Sequence, residues 1–167
     1  PLPAPFSSDP PFMITIGAHL MRGKKISLNY LAGLIDGEGF FTVNYRKIKQ
    51  SSSGLSHEHI PVVGIHMTAT KLITQIQQEY GGYIHKRMGT KRMRYDWNLR
   101  QAIKIYPFVK KILPYLRVKH PQAKLMIELC KTYKFFTKKK IFKLSKEIVD
   151  KRNAIKKEIS FINKEQD

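Results

Sequence analysis

The chain has one cysteine, one tryptophan and only 12 acidic residues among 167. A lone cysteine excludes an intrachain disulfide, and the apolar neighbours of Cys130 (Leu125, Met126, Ile127 and Leu129) predict a buried helical thiol, not a nucleophile. No stretch approaches the roughly 18 consecutive apolar residues of a membrane-crossing helix, and the N-terminus lacks the apolar core of a secretory signal. A soluble protein with no membrane partner is therefore expected. His57, His59 and His66 do not make a convincing zinc site, because no cysteine lies near them and no second ligand pair follows at regular spacing. No internal repeat is visible.

What the chain has in excess is positive charge: 31 Lys and Arg give a formal net charge of +19. Self-repulsion on that scale opposes a compact state, and a polyanion such as nucleic acid would offset it. Charge alone does not choose between DNA and RNA. With 42% hydrophobic residues the chain can bury a core, and its length suits one domain and not two full-sized ones.

Residues 1–26 carry five of the nine prolines and no sustained period, so they read as an N-terminal extension, with Phe12 to Ile16 as a short strand or packing segment. Its basic end (Arg22, Lys24, Lys25) is either a DNA-touching arm or a solvated linker. Residues 27–167 form the single folded domain. Ser27 is placed to cap a helix from Leu28 to Asp36, stopped by Gly37 and Gly39. From there the period changes to two, and Phe41, Val43 and Tyr45 alternate with Thr42, Asn44 and Arg46 as in a half-buried strand. A serine-rich loop from Ser51 to Ser56 leads to a second strand from His59 to Thr68, with Val63, Ile65 and Met67 on one face. A helix from Thr70 to Tyr80 ends at Gly81 and Gly82, and strands Tyr83 to Met88 and Lys91 to Leu99 flank a turn at Gly89 and Thr90. The last third predicts helices from Ala102 to Leu113 (broken by Pro107 or Pro114), from Pro121 to Phe136, and from Ile141 to Phe161. The last of these carries an apolar stripe of Ile141, Leu144, Ile148, Ile155 and Ile159. The sum is an α+β chain whose sheet has one helix-covered face and one polar, basic face.

The segment richest in chemistry is Leu31-Ala32-Gly33-Leu34-Ile35-Asp36-Gly37-Glu38-Gly39. Ala32 and Gly33 would let a second helix approach closely. Asp36 and Glu38 stand where the helix dipole is already negative, an unfavourable place for carboxylates unless a cation comes. A hard ion such as Mg2+ asks for one or two carboxylates plus carbonyls and waters. Two such helices side by side would bring two acidic ends together, able to hold the metals that stabilise attacking and leaving oxygens in phosphodiester hydrolysis. The same residues also suit an amphipathic helix with a glycine-rich exit, in which Asp36 only caps the turn.

This nonapeptide resembles the LAGLIDADG motif of homing endonucleases and related maturases, departing from it at Gly37 for Ala and at Glu38 for the second Asp. The resemblance extends over about residues 28–125 and implies the family's fold, an antiparallel four-stranded DNA-binding sheet backed by helices. It implies that Glu38 is the essential metal ligand, with the carbonyl of Gly37 beside it, and that Asp36 is more structural. The cofactor would be Mg2+ or another divalent ion such as Mn2+. The stretch Pro114 to Ala123 resembles the family segment bearing an active-site lysine, which falls on Lys119, there to stabilise phosphate charge or help position the attacking water. Family members often carry a polar residue near the end of the second strand and a basic one a helical turn later. The matching positions are Met67 and Lys71, with His66 or Thr68 as alternatives to Met67.

In such a protein the polar sheet face lies in the major groove. Alternation then names Thr42, Asn44 and Arg46 on the first strand, Tyr83, His85 and Arg87 on the third, and Arg94 and Asp96 on the fourth as candidate DNA contacts, with about half of them touching bases. Phe41, Val43, Tyr45, Ile84, Tyr95, Trp97 and Leu99 would face the helices. The loop from Lys47 to Ser56 would be a phosphate-contacting or induced-order segment, and the run Lys138 to Lys140 would meet backbone phosphate or solvent. With one motif copy, the resemblance implies a homodimer joined along Leu31, Ala32, Gly33 and Ile35, and a pseudo-palindromic double-stranded DNA target. The expected activity is site-specific double-strand cleavage by an intron-encoded homing endonuclease of an organelle or an archaeon. An intron maturase that binds RNA, and a DNA-binding module without catalysis, are the alternatives.

Overall fold

The computed structural model describes residues 25–47, 57–89, 92–133 and 145–166. The N-terminal extension up to residue 24, the loop of residues 48–56, Thr90 of the predicted turn, the lysines 138–140, and Ile141 and Leu144 of the predicted stripe lie outside the described residues.

Helix α1 (Leu28–Glu38) begins at Ser27, whose Oγ accepts from the Tyr30 amide at 3.3 Å. It runs two residues past the predicted Asp36 stop and leaves through Gly39 directly into strand β1 (Gly39–Lys47). Glycine is required at 39 for space: a Cβ there would lie 2.7 Å from the backbone of Ile35. Strand β2 (His57–Met67), helix α2 (Thr70–Tyr80), and strands β3 (Tyr83–Met88) and β4 (Met93–Arg100) follow. Between α2 and β3, Gly81 and Gly82 take positive φ values of 72° and 93°. Trp97 donates from Nε1 to the Gly81 carbonyl at 2.7 Å, tying that turn to β4.

The sheet is antiparallel, in the order β1-β2-β4-β3. Its register aligns Phe41, Val63 and Leu99 in one row and Gly39, Ile65, Trp97 and Ile84 in the next, so the apolar members of the alternation share the helix-covered face. Helix α3 (Ala102–Ile112) passes through Pro107 without breaking and ends in a 3-10 turn (Leu113–Tyr115) that contains Pro114. Of the two prolines expected to interrupt it, only the second does. Helix α4 (His120–Lys131) follows, shorter than predicted. Leu31, Ile35, Ile73, Trp97, Ile105 and Met126 are among the side chains buried completely between sheet and helices.

Helix α5 (Lys146–Gln166) begins five residues later than expected and runs to the end of the described chain. It lies along β1, an edge strand, where Asn163 Nδ2 donates to the Phe41 carbonyl at 2.9 Å and Ile155 and Ile159 enter the core. An otherwise exposed strand edge is thereby covered. Arg152, also buried, donates to Thr132 Oγ1 and to the Thr132 carbonyl and sits 3.9 Å over the Tyr133 ring, joining α5 to the end of α4. No described helix is long and apolar enough to cross a membrane.

Cys130 is buried in α4, as its neighbours predict, and that burial pushes its thiol pKa up to about 12. Native protein at pH 8 should therefore resist thiol reagents that modify the denatured chain within minutes. A labelling time course followed by mass spectrometry checks this.

Candidate active site and DNA-facing sheet

The acidic end of α1 is organised by the segment between the 3-10 turn and α4. Asp36 Oδ2 accepts from the Arg117 amide and Oδ1 from the Lys119 amide, both at 2.8 Å. Lys119 Nζ returns to donate to the Asp36 carbonyl at 2.6 Å. The awkward carboxylate near the negative end of the helix thus has a use: it is satisfied by two backbone donors, and a cation comes to a last-turn carbonyl. Asp36 thus joins the end of α1 to Lys119 through both its carboxylate and its carbonyl. Asp36→Ala should lower stability by about 2 kcal/mol, because two charge-assisted hydrogen bonds are lost from a half-buried position. Urea unfolding measures the drop.

Glu38 differs from Asp36. It is exposed and makes no hydrogen bond or ion pair with a described residue. Beside it the Gly37 carbonyl lies in the last turn, beyond the reach of helical amide donors. This pair of oxygen donors fits a hard cation. Among the described residues no three His, Cys, Asp or Glu side chains group as metal ligands.

The outer face of α1 corrects one expectation. Leu31, Ala32 and Ile35, predicted at the dimer helix, are fully buried in the chain's own core. The sheet and α3 claim the larger apolar stripe. The opposite face consists of Tyr30 (55% exposed), Gly33, half-buried Leu34 and Gly37, and a Cβ at either glycine would meet nothing within 4 Å. Of the four predicted residues, Gly33 alone is available to a partner.

Met67, at the polar-residue position, packs against the core. The polar side of β2 at that level belongs to His66, one of the two alternatives, while Thr68 is exposed beyond the strand end. Lys71 stands exposed in the first turn of α2 and contacts no described polar group.

On the polar sheet face Asn44, Arg46, Tyr83, His85, Arg87 and Arg94 are exposed and Thr42 is half-buried. Arg46 pairs with Glu58 opposite it at 2.6 Å. Asp96 does not stand free to accept from a cytosine. It is on the predicted face but buried, with His66 Nδ1 2.7 Å from Oδ1 and Arg87 Nε 2.6 Å from Oδ2. Strand β4 is interior, so long side chains on β2 and β3 close over its polar residues. Tyr45, predicted in the helix-facing core, is on that face but 45% exposed. It meets His59 edge-on at 4.9 Å, under the Lys156 ammonium of α5.

Residues 31–122 match the family model described as LAGLIDADG endonuclease. The chain belongs to this family. Solved structures of LAGLIDADG and other homing endonucleases share its fold at low sequence identity. The homing endonuclease I-CvuI, crystallised with its target and calcium, superposes with a TM-score of 0.62 at 17% identity, over 81% of this chain and 80% of its own. The archaeal intron-encoded homing endonuclease I-Vdi141I, complexed with DNA, gives 0.64 at 17% over 81% and 82%. The meganuclease I-SmaMI, bound to uncleavable DNA, gives 0.65 at 18% over 83% of this chain but only 46% of its own. No curated protein matches the chain in sequence. The LAGLIDADG motif coincides with α1 and its exit, so the family's signature and the exposed Glu38 occupy one place in this fold.

Proposed function

We propose that this LAGLIDADG protein is a site-specific, metal-dependent DNA endonuclease that acts as a homodimer on a long pseudo-palindromic duplex, in the service of intron homing. The observation that carries the reading is the free carboxylate of Glu38 at the end of a helix whose outer face is open at Gly33 and Gly37. Packing two α1 helices across that face brings two Glu38 side chains together and supplies from two chains the donors that one lacks. I-SmaMI, of which this chain matches less than half, has the length for two such units; this chain has one motif. The use of a divalent ion is supported by the oxygen-donor set and by complexes of I-CvuI with DNA in the presence of Ca and of Mg, the DNA in the latter not cleaved.

In this reading Glu38 and the Gly37 carbonyl hold the divalent ion, which when bound would stabilise charge on the scissile phosphate and activate water. Lys119, fixed by Asp36, places a positive charge beside the same helix end to offset charge gathering on the phosphate oxygens. Lys71 is a second cation for the phosphate side. The polar sheet face binds the major groove, with Asn44, Tyr83, His85, Arg87 and Arg94 as its exposed readers. Arg46 must part from Glu58 to join them, which is inexpensive for an exposed pair. Water adds to phosphorus and gives up a proton, the phosphorus–oxygen bond to the leaving sugar breaks and that oxygen takes up a proton, and each strand is cut once.

Selection from random-sequence duplexes tests the reading. The dimer should enrich a site with approximate two-fold symmetry, whose binding weakens steeply with salt. Enrichment of structured RNA over every duplex would favour an intron maturase.

A further inference from the structure

A second constellation lies on the polar face. The register sets Phe40 of β1 opposite Gly64 of β2, and His66 of β2 opposite Asp96 of β4. A Cβ at position 64 would lie 2.3 Å from the Phe40 ring, so a side chain there would push the ring from its place. That ring stacks on His66 with centroids 4.5 Å apart and planes inclined by 11°. Asp96 then clamps two side chains, His66 through Oδ1 and Arg87 through Oδ2. The Arg87 contact is a close ion pair, its angle outside that of an ordinary hydrogen bond. Side-chain exposure rises from 3% at Asp96 to 38% at His66 and 73% at Arg87. One buried carboxylate, anchored in the interior strand, thus orders two side chains that solvent and DNA can reach.

In the neutral ring the clamp sets what His66 can offer. An ionised carboxylate only accepts, so Nδ1 of the imidazole carries the proton that Asp96 binds. Nε2, which has no partner among the described residues, is then an acceptor in the neutral ring. In the major groove the groups that donate to an acceptor are the exocyclic amines, N6 of adenine and N4 of cytosine. The stack on Phe40 and the bond to Asp96 immobilise the ring before DNA arrives, so little side-chain freedom is lost on binding.

We propose that His66 is a specificity-determining residue that reads an exocyclic amino group at one base pair of each half-site, with Asp96 as its positioning residue. The inference rests on the DNA-binding reading above. Arg87, held by the same carboxylate, presents its outer guanidinium nitrogens to the neighbouring step.

The test uses random-sequence duplexes, with calcium in place of magnesium, offered to the wild-type dimer, His66→Ala and Asp96→Asn. Wild type should converge on a site with adenine or cytosine at one symmetry-related pair of positions. His66→Ala should flatten that pair alone. Asp96→Asn should relax it, and the step Arg87 touches, by roughly tenfold while the remaining positions keep their preference. A second arm needs no change to the fold. Replacing that adenine by purine, or that cytosine by pyrimidin-2-one, removes the amine and tells the two bases apart. Wild type should lose about tenfold in affinity and His66→Ala nothing further. A wild-type motif that His66→Ala leaves intact at every position overturns the inference and spares the DNA-binding reading. A pool that never converges overturns both. Uniform loss across all sequences in Asp96→Asn would make Asp96 a fold residue and overturn its positioning role.

Discussion

Gly33→Arg should leave the chain folded, make it sediment as a monomer and reduce double-strand cleavage below detection. The position is exposed, and a Cβ there meets nothing within 4 Å, so the isolated fold has room for the new side chain. Replacing a glycine in mid-helix should raise the unfolding free energy by several tenths of a kcal/mol. The consequence appears only between two copies. Helices that approach through Gly33 and Gly37 cannot do so past two arginines, and the like charges facing each other add repulsion. Sedimentation and cleavage assays on one preparation separate this from misfolding. A variant that stays dimeric and cuts would place the dimer on another surface.

Glu38→Gln should lower the cleavage rate at least about a thousandfold, the scale of the several kcal/mol that a well-placed metal supplies in the transition state. Binding of the same duplex should change by less than about threefold, because the substitution keeps the shape of the side chain and leaves the basic sheet untouched. Stability should stay level or rise by a few tenths of a kcal/mol, since an exposed carboxylate with no partner among the described residues leaves the negative end of α1. A stabilised but inactive variant is the signature of a functional residue held at some cost to the fold. Unfolding midpoints, equilibrium binding and single-turnover cutting measure the three effects.

The elements were legible in the sequence because their periods are clean. Ser27 caps α1, α2 and β3 have their predicted bounds, and the change of period at Gly39 is the helix-to-strand exit. Alternation also assigned each strand's two faces, and the register agrees. A face is not the same as exposure, however. Asp96 has the right parity for DNA but lies in an interior strand, where its neighbours His66 and Arg87 use its oxygens. Burial depends on strand order, which local sequence does not contain. The same limit explains Leu31, Ala32 and Ile35: a helix with apolar residues around most of its circumference does not declare which side meets its own core. The partnership of Asp36 with the amides of Arg117 and Lys119 joins residues more than eighty positions apart. The motif pointed to Asp36 and the separate stretch Pro114 to Ala123 to Lys119, but nothing in either showed that the two meet. The Phe40–His66–Asp96–Arg87 array left a fainter trace in Gly64, whose missing side chain in a strand interior signals a close approach.

The central claim is that two copies of Glu38 make one metal-dependent cutting centre. The most direct measurement is cleavage of the duplex selected by the wild-type dimer, in magnesium and in EDTA. Both strands should be cut within the central base pairs in magnesium and neither in EDTA, with the activity absent from Glu38→Gln. Tight, specific binding with no cutting in magnesium or manganese would contradict the claim.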